Sequence, residues 1–298
     1  MASARPLIRI PHMRPAEGAP PRLVGFDALL DFVRRRSRLL VLSGAGMSTA
    51  SGIPAYRGAD GQWLRRDPIL FQDFLASARV RRRYWARSYF GWPLMHRASP
   101  NAAHQALVAL ERAGRLSLLV TQNVDGLHAR AGSRALVELH GRLARVKCLA
   151  CAAENDREEV QRRLEALNPD WRPEVLGYNP DGDAELDAGA YPGFQVVDCA
   201  ACGGPLKPDV VFFGEPVPAR RAAAVAEAMA RSDGVLVVGS SLVVMSGYRI
   251  VRQAAASGLP VVAVNEGRTR ADALLHFKVG GDCVGTLERL GVELAVGT

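Results

Sequence analysis

Strand-like runs of four to six residues, apolar but for Ser117 and Glu138, recur along this chain at 39–42, 116–120, 136–139, 234–238 and 259–264. Runs this short, apolar without alternation, suit strands buried on both faces. Helical patterns fall before, between and after them, at 23–36, 103–113, 218–231, 248–256 and from Cys283 to Leu290. Strands separated by helices pair in parallel, because each connection must cross one face of the sheet before the next strand begins. The alternation predicts an α/β fold, a Rossmann-like parallel sheet with helices on both faces.

The residues that follow each run say where a ligand would go. Ser43, Gly44, Ala45 and Gly46 follow the first run. A turn stripped of side-chain bulk lets main-chain N–H groups approach a phosphate, and a helix starting just beyond it would add its positive end. The glycines at 44, 46 and 52 do not form G-x-G-x-x-G, so an ordinary strand-to-helix turn explains them equally well. The continuation from Ser51 to Arg57, SGIPAYR, combines an apolar wall with an aromatic ring and a fixed cation, which a plain turn does not need. Later runs end in Gly239, Ser240 and Ser241, and in Asn265 with Glu266. The run 116–120 leads into Gln122, Asn123 and Asp125, and 136–139 ends on His140. Open α/β sheets bind ligands at the carboxyl ends of their strands, so these tips predict the site.

Two segments break the alternation. Residues 58–103 are rich in aromatics set among arginines and read as a small helical insertion, with Pro93 and Pro100 bounding its end. Residues 142–209 read as an inserted module with a charged helix near 157–167 and a Gly/Pro/Asp-rich stretch at 169–193. This module holds four of the five cysteines, Cys148, Cys151, Cys199 and Cys202, as two C-x-x-C pairs with 47 residues between them. Each pair offers two thiolates from one tight turn, and two turns close a tetrahedron around one structural Zn²⁺. Two redox pairs or four buried thiols are the competing reading. The expected division is a flexible lead-in at 1–22, a Rossmann-like domain at 23–141 and 210–298, and a zinc-binding small domain at 142–209.

The net charge of +8 invites a nucleic-acid reading. Almost all of the positive charge is arginine, however, with lysine only at Lys147, Lys207 and Lys278, and the basic clusters at 34–36 and 81–83 are short. Abundant arginine with abundant alanine looks like a GC-rich coding bias, hence a bacterial, cytoplasmic protein, and no direct nucleic-acid binding is expected. No apolar run approaches the roughly 20 residues a membrane helix needs, so no membrane partner is expected either.

His140 sits at a strand end beside Gln122, Asn123 and Asp125, where a neutral imidazole can act as a general base near pH 7. A lone histidine is more often a satisfied core residue, and His104 and His128, which lack this placement, read that way. Asn123 and Asp125 also suit a helix-capping turn. Their company with Gln122 and His140 favours a functional role.

The strings GAGMSTASGIPAYRG, TQNVDGLH, HG at His140, FFGE at 212–215, GSSL at 239–242 and Asn265, with the two cysteine pairs, resemble the sirtuins, NAD-dependent protein-lysine deacylases. The resemblance spans about residues 25–292, and GWP, PNAAH and LKPDVVFFGE are most similar to class II members. It implies that Gly44, Ala45 and Gly46 hold the NAD pyrophosphate. Ile53, Asn123 and Asp125 would form the nicotinamide pocket, with Tyr56 and Arg57 on the loop that closes over it. Gln122 would bind the nicotinamide ribose, with His140 the catalytic base and Asn123 a second catalytic residue. Gly239, Ser240, Ser241, Asn265 and Cys283 would surround the adenosine half. Phe213, Gly214 and Glu215 would offer a backbone edge to which an acylated lysine-bearing peptide adds as a strand.

The implied reaction consumes NAD: the acyl oxygen attacks the ribose carbon as nicotinamide leaves, and the acyl group ends on ADP-ribose. Ala50 and Ala55 stand where many relatives carry Glu and Asp, which puts the rate in question. Tyr84 and Arg87, three apart in YWAR, resemble the pair that reads acidic acyl groups, against the plainer reading of a solvated helix face. Protein mono-ADP-ribosyl transfer and a non-catalytic NAD-sensing zinc module are the alternatives.

Overall fold

The computed structural model describes residues 20–55, 68–179, 181–187 and 189–295. The strands are β1 (Leu39–Ser43), β2 (Leu116–Thr121), β3 (Leu136–Glu138), β4 (Gly141–Cys148), β5 (Glu154–Asp156) and β6 (Val175–Tyr178). They continue with β7 (Ala184–Leu186), β8 (Leu206–Val210), β9 (Gly234–Val238), β10 (Val261–Val264) and β11 (Phe277–Val279). The helices are α1 (Phe26–Arg34), α2 (Phe71–Ala76), α3 (Ala78–Arg97), α4 (Ala102–Arg112) and α5 (Leu127–Ala131). After them come α6 (Arg157–Leu167), α7 (Ala219–Ala230), α8 (Met245–Ala256) and α9 (Cys283–Ala295).

The central sheet has the order β11-β10-β9-β1-β2-β3, and every pairing in it is parallel. Successive side chains of a strand point to opposite faces. Leu39 and Val41 therefore pack with α1, α4 and α9 on one side. Leu40 and Leu42 pack with α7 and α8 on the other. The chain runs outward from β1 through β2 to β3, then returns to start again at β9 on the other flank of β1. The order reverses between β1 and β9, and that reversal opens a crevice at their carboxyl ends.

A second body is built on a small antiparallel sheet, β5-β4-β8, with the hairpin β6–β7 beside it. The 20-residue helix α3 lies against it through many polar contacts. Trp85 Nε1 donates to the Leu206 carbonyl at 3.1 Å, and Arg157 donates to the Ser88 carbonyl at 3.1 Å. The Arg157 guanidinium lies over the rings of Trp85 and Trp92.

Three expectations change here. No α-helix follows the glycine turn; two single 3₁₀ turns, Ala45–Met47 and Thr49–Ser51, take its place. Pro93 lies inside α3 rather than ending the insertion. A proline cannot donate to the carbonyl four residues back; that carbonyl, on Tyr89, instead accepts from Gln161 Nε2 of α6 at 3.1 Å. Of the lead-in, residues 1–19 lie outside the described residues, while the Arg22 carbonyl accepts from the Lys278 N–H at 2.8 Å and so ties the chain to β11. Among the described residues no helix is long and apolar enough to cross a membrane.

Candidate active site

Glycine at 44 and 46 lets two strand tips touch. A Cβ on Gly44 would stand 2.7 Å from Ser240 Cβ, and one on Gly46 would stand 2.9 Å from Gly239 Cα. Their own N–H groups are taken, Gly44 by the Val238 carbonyl at 3.0 Å and Gly46 by the Gly239 carbonyl at 2.9 Å. These glycines thus join β1 to β9 at the crevice, and the cradle they leave is one of shape.

A cavity of about 740 Å³ opens there. Gly44, Ala45, Gly46, Gln122, Asn123 and His140 line it from one group of tips; Gly239, Ser240, Ser241, Asn265 and Cys283 line it from the other. Phe213, Gly214 and Glu215 form a third wall. Ile53 and Asp125 lie outside this cavity and line an adjoining recess, which shares Ala45, Gln122, Asn123 and Val124 with it. Tyr56 and Arg57 lie outside the described residues.

The polar groups of the recess brace one another. Asn123 Nδ2 donates to the Gly44 carbonyl and to Ser48 Oγ, both at 3.0 Å. Ser48 Oγ donates in turn to Asp125 at 2.7 Å. Asp125 also accepts from the Leu127 N–H at 2.8 Å, the capping contact that the turn reading anticipated. Burial raises the Asp125 pKa in spite of these donors. Gln122 Nε2 reaches Ser240 Oγ at 2.9 Å and so bridges the two groups of tips.

His140 is held at both ring nitrogens. Nδ1 lies 2.9 Å from the Gln122 carbonyl oxygen, which can only accept, so Nδ1 carries the proton. Nε2 is left with its lone pair, 2.7 Å from Ser246 Oγ. Burial pushes the imidazole down to about 4 against the Gln122 hydrogen bond, and the Arg221 charge adds to the effect of burial. The ring is neutral at pH 7 with an acceptor ready, as a general base requires. The glycine after it is obligatory: Gly141 has φ +84°, and a Cβ there would collide with the Asp209 carbonyl.

The Sir2 family profile matches residues 44–246. The chain belongs to the Sir2 family. It is 54% identical over 260 residues to a Xanthomonas campestris protein named NAD-dependent protein deacetylase, covering 87% of this chain and 89% of that protein. A protein of the same name from Bordetella bronchiseptica is 51% identical over 262 residues, covering 88% of this chain and 96% of that one. A solved Sir2–p53 peptide–NAD+ complex matches with a TM-score of 0.72 at 29% identity, covering 92% of this chain and all of the other.

In this Sir2 family member the four module cysteines converge. Cys148 and Cys202 sulfurs are 3.5 Å apart, Cys151 and Cys199 sulfurs are 3.8 Å apart, and all four lie within 4.8 Å. Tetrahedral zinc with bonds of about 2.3 Å sets its sulfurs about 3.8 Å apart, so the residues fit one Zn²⁺ with no open position. N–H groups of Ala150 and Cys151 point at Cys148 Sγ at 3.4 and 3.5 Å. Left-handed residues follow both pairs, Ala152 at φ 59° and Gly203 at φ 70°.

The structure separates Tyr84 from Arg87. Tyr84 lines the cavity within an aromatic cluster, its ring 5.2 Å from that of Phe212. Arg87 is fully buried and absent from the lining; its guanidinium pairs with Asp183 at 3.0 Å and Glu185 at 2.6 Å. Those carboxylates occupy the fork that the sequence assigned to an acidic acyl group. The peptide edge also differs from expectation. β8 ends at Val210, and 212–215 is a turn closed by Glu215 N–H to the Phe212 carbonyl at 3.0 Å, with Gly214 at φ +85°. The Phe213 carbonyl is already taken by the Phe71 N–H at 2.9 Å.

Sequence reasoning missed Ser48 and Ser246. Ser48 lies inside the glycine string, three residues after Ala45, and a polar residue there was a readable signal. Ser246 lies in the first turn of α8, and nothing local marks it.

Proposed function

We propose that this protein is an NAD-dependent protein-lysine deacetylase whose base is His140. One observation carries the assignment of the base: a neutral imidazole with Nδ1 fixed on a main-chain carbonyl and Nε2 on the Ser246 hydroxyl, both residues lining a cavity at the carboxyl edge of the sheet. NAD is a reactant here, and its departing nicotinamide activates the ribose toward the acyl oxygen. The chain's own residues position and deprotonate. The recess of Ile53, Asn123 and Asp125 suits the carboxamide ring, and Gln122 with Ser240 suits the ribose between the two groups of tips. His140 takes a ribose hydroxyl proton so that the freed oxygen can attack the acyl carbon.

The acyl-lysine chain is proposed to enter between Phe213–Glu215 and the segment 243–246, both of which line the cavity. Ile69, Tyr84 and Phe212 line the same cavity, and with Arg87 engaged elsewhere this wall favours uncharged acyl groups over acidic ones. The partners are acylated lysine-bearing proteins or peptides.

Incubation with NAD and an acetyl-lysine peptide tests the reading. Nicotinamide release should depend on the peptide, and free lysine and O-acetyl-ADP-ribose should form. His140→Ala should lower product formation by about 100-fold or more. Peptide-independent nicotinamide release with ADP-ribose left on protein would replace this reading with transferase chemistry. Binding of NAD without turnover would replace it with a sensor.

A further inference from the structure

Both nitrogens of the His140 ring are occupied before any substrate arrives. Nδ1 is committed to the Gln122 carbonyl, and the acceptor Nε2 is capped by Ser246 Oγ at 2.7 Å. A ribose hydroxyl cannot hand its proton to Nε2 directly while that hydroxyl stands in place. Ser246 is half-buried and lines the cavity, so it stands between the imidazole and the cavity interior.

The backbone carrying Ser246 is also fixed. Its neighbour Gly247 packs so closely on Gln122 that a Cβ there would collide with the Gln122 carboxamide. The first turn of α8, Gln122 and His140 therefore form one interlocked unit. Such a unit holds the serine oxygen against the ring.

We propose that Ser246 is a catalytic residue that relays the proton from the ribose hydroxyl to His140. In this step the ribose O–H bond breaks and its proton bonds to Ser246 Oγ, while the former Ser246 proton bonds to Nε2. The serine ends as it began, a neutral hydroxyl. The imidazole becomes an imidazolium that donates from Nδ1 to the Gln122 carbonyl and from Nε2 to Ser246 Oγ. The ribose oxygen keeps the electron pair and attacks the acyl carbon. A hydroxyl suits this place because it donates to the neutral ring and accepts from the charged one without moving.

The proposal rests on the reading of His140 as base, and the experiment keeps the two apart. Ser246→Ala, Ser246→Thr and His140→Ala are assayed as full-length zinc-loaded proteins with NAD and acetyl-lysine peptide. Two rates are followed: exchange of labelled nicotinamide, which reports the first step, and O-acetyl-ADP-ribose formation, which reports the second. Ser246→Ala should form product about 10-fold more slowly or worse, with exchange within about two-fold of wild type. Ser246→Thr should restore product formation to within about three-fold, since it returns the hydroxyl. In single-turnover acyl transfer from preformed intermediate, the dependence on deuterium fraction should be bowed for wild type, with two protons in flight, and linear for Ser246→Ala.

Wild-type product formation by Ser246→Ala would overturn the relay and leave the serine as a cap that steps aside. Parallel loss of exchange and product would overturn it in favour of a merely structural role. Full activity of His140→Ala would instead remove the base assignment on which the relay stands.

Discussion

The two bodies of this molecule are held together by different means. β1 is buried along its whole length and sandwiched by helices, as a parallel strand with two covered faces should be. β4 alternates between buried and open positions, and the sheet it centres is only three strands wide. One body can rely on apolar burial. The other brings its chain ends together at four sulfurs, where metal binding and folding are one free energy. The lesson is that the residues facing the cavity draw on both supports: His140 stands at the junction, and β4 begins with the next residue.

If that contrast is right, stripping the metal should produce the largest effect. Chelation or Cys199→Ser should open the small body while the large sheet persists, since structural zinc contributes about 10 kcal/mol or more. Amide exchange should then become fast in β4, β5 and β8 and remain slow in β1 and β9. A single loss of protection in all of them together would erase the distinction.

Arg87→Ala probes the bond between the bodies. It removes the buried guanidinium that faces Asp183, itself 2% exposed, and should destabilise the protein by about 3 kcal/mol in urea unfolding. Relative turnover of acetyl- and glutaryl-lysine peptides should stay the same, because the guanidinium faces carboxylates of β7 and its turn.

The large body has its own weakness, in acid. His128 and His104 stack at 4.7 Å between centroids, and burial pushes them down to about 3 and about 4. His128 Nε2 contacts Ser43 Oγ at 2.8 Å, directly under the strand tip. An unfolded histidine titrates near pH 6.5, so below that pH the unfolded chain binds protons that the fold refuses. Stability is full above about pH 6.5 and falls by about 1.4 kcal/mol per pH unit for each histidine as pH drops toward 4. Amide exchange of β1 and β2 between pH 7 and 5, extrapolated to the opening free energy, measures it; a flat profile would contradict the burial.

Ala152→Gly should give the smallest change. It relieves a left-handed alanine in the first cysteine turn and should raise the melting temperature of the zinc-loaded protein by the equivalent of up to about 1 kcal/mol.

Most of the sheet was legible because a strand covered on both faces leaves an uninterrupted apolar word, as at 39–42 and 234–238. The cysteine spacing and the HG pair were legible for a similar reason: metal geometry and a left-handed backbone each admit few residue types. Pro93 was misread because its missing hydrogen bond is repaired by Gln161, a residue distant in sequence. Arg87 was misread because helical spacing tells which residues share a face and not what that face meets. Ser246 could not be found locally, since only the fold brings the start of α8 to the end of β3.

The long helix α3 carries Tyr84 at the cavity wall and, a turn or two further on, the contacts of Arg87, Ser88 and Tyr89 with the cysteine-bearing body. One helix thus spans the distance from the cavity wall to β7 and α6 of that body. A disturbance of the metal-bearing body would have a rigid path to the substrate wall that avoids the reacting atoms altogether.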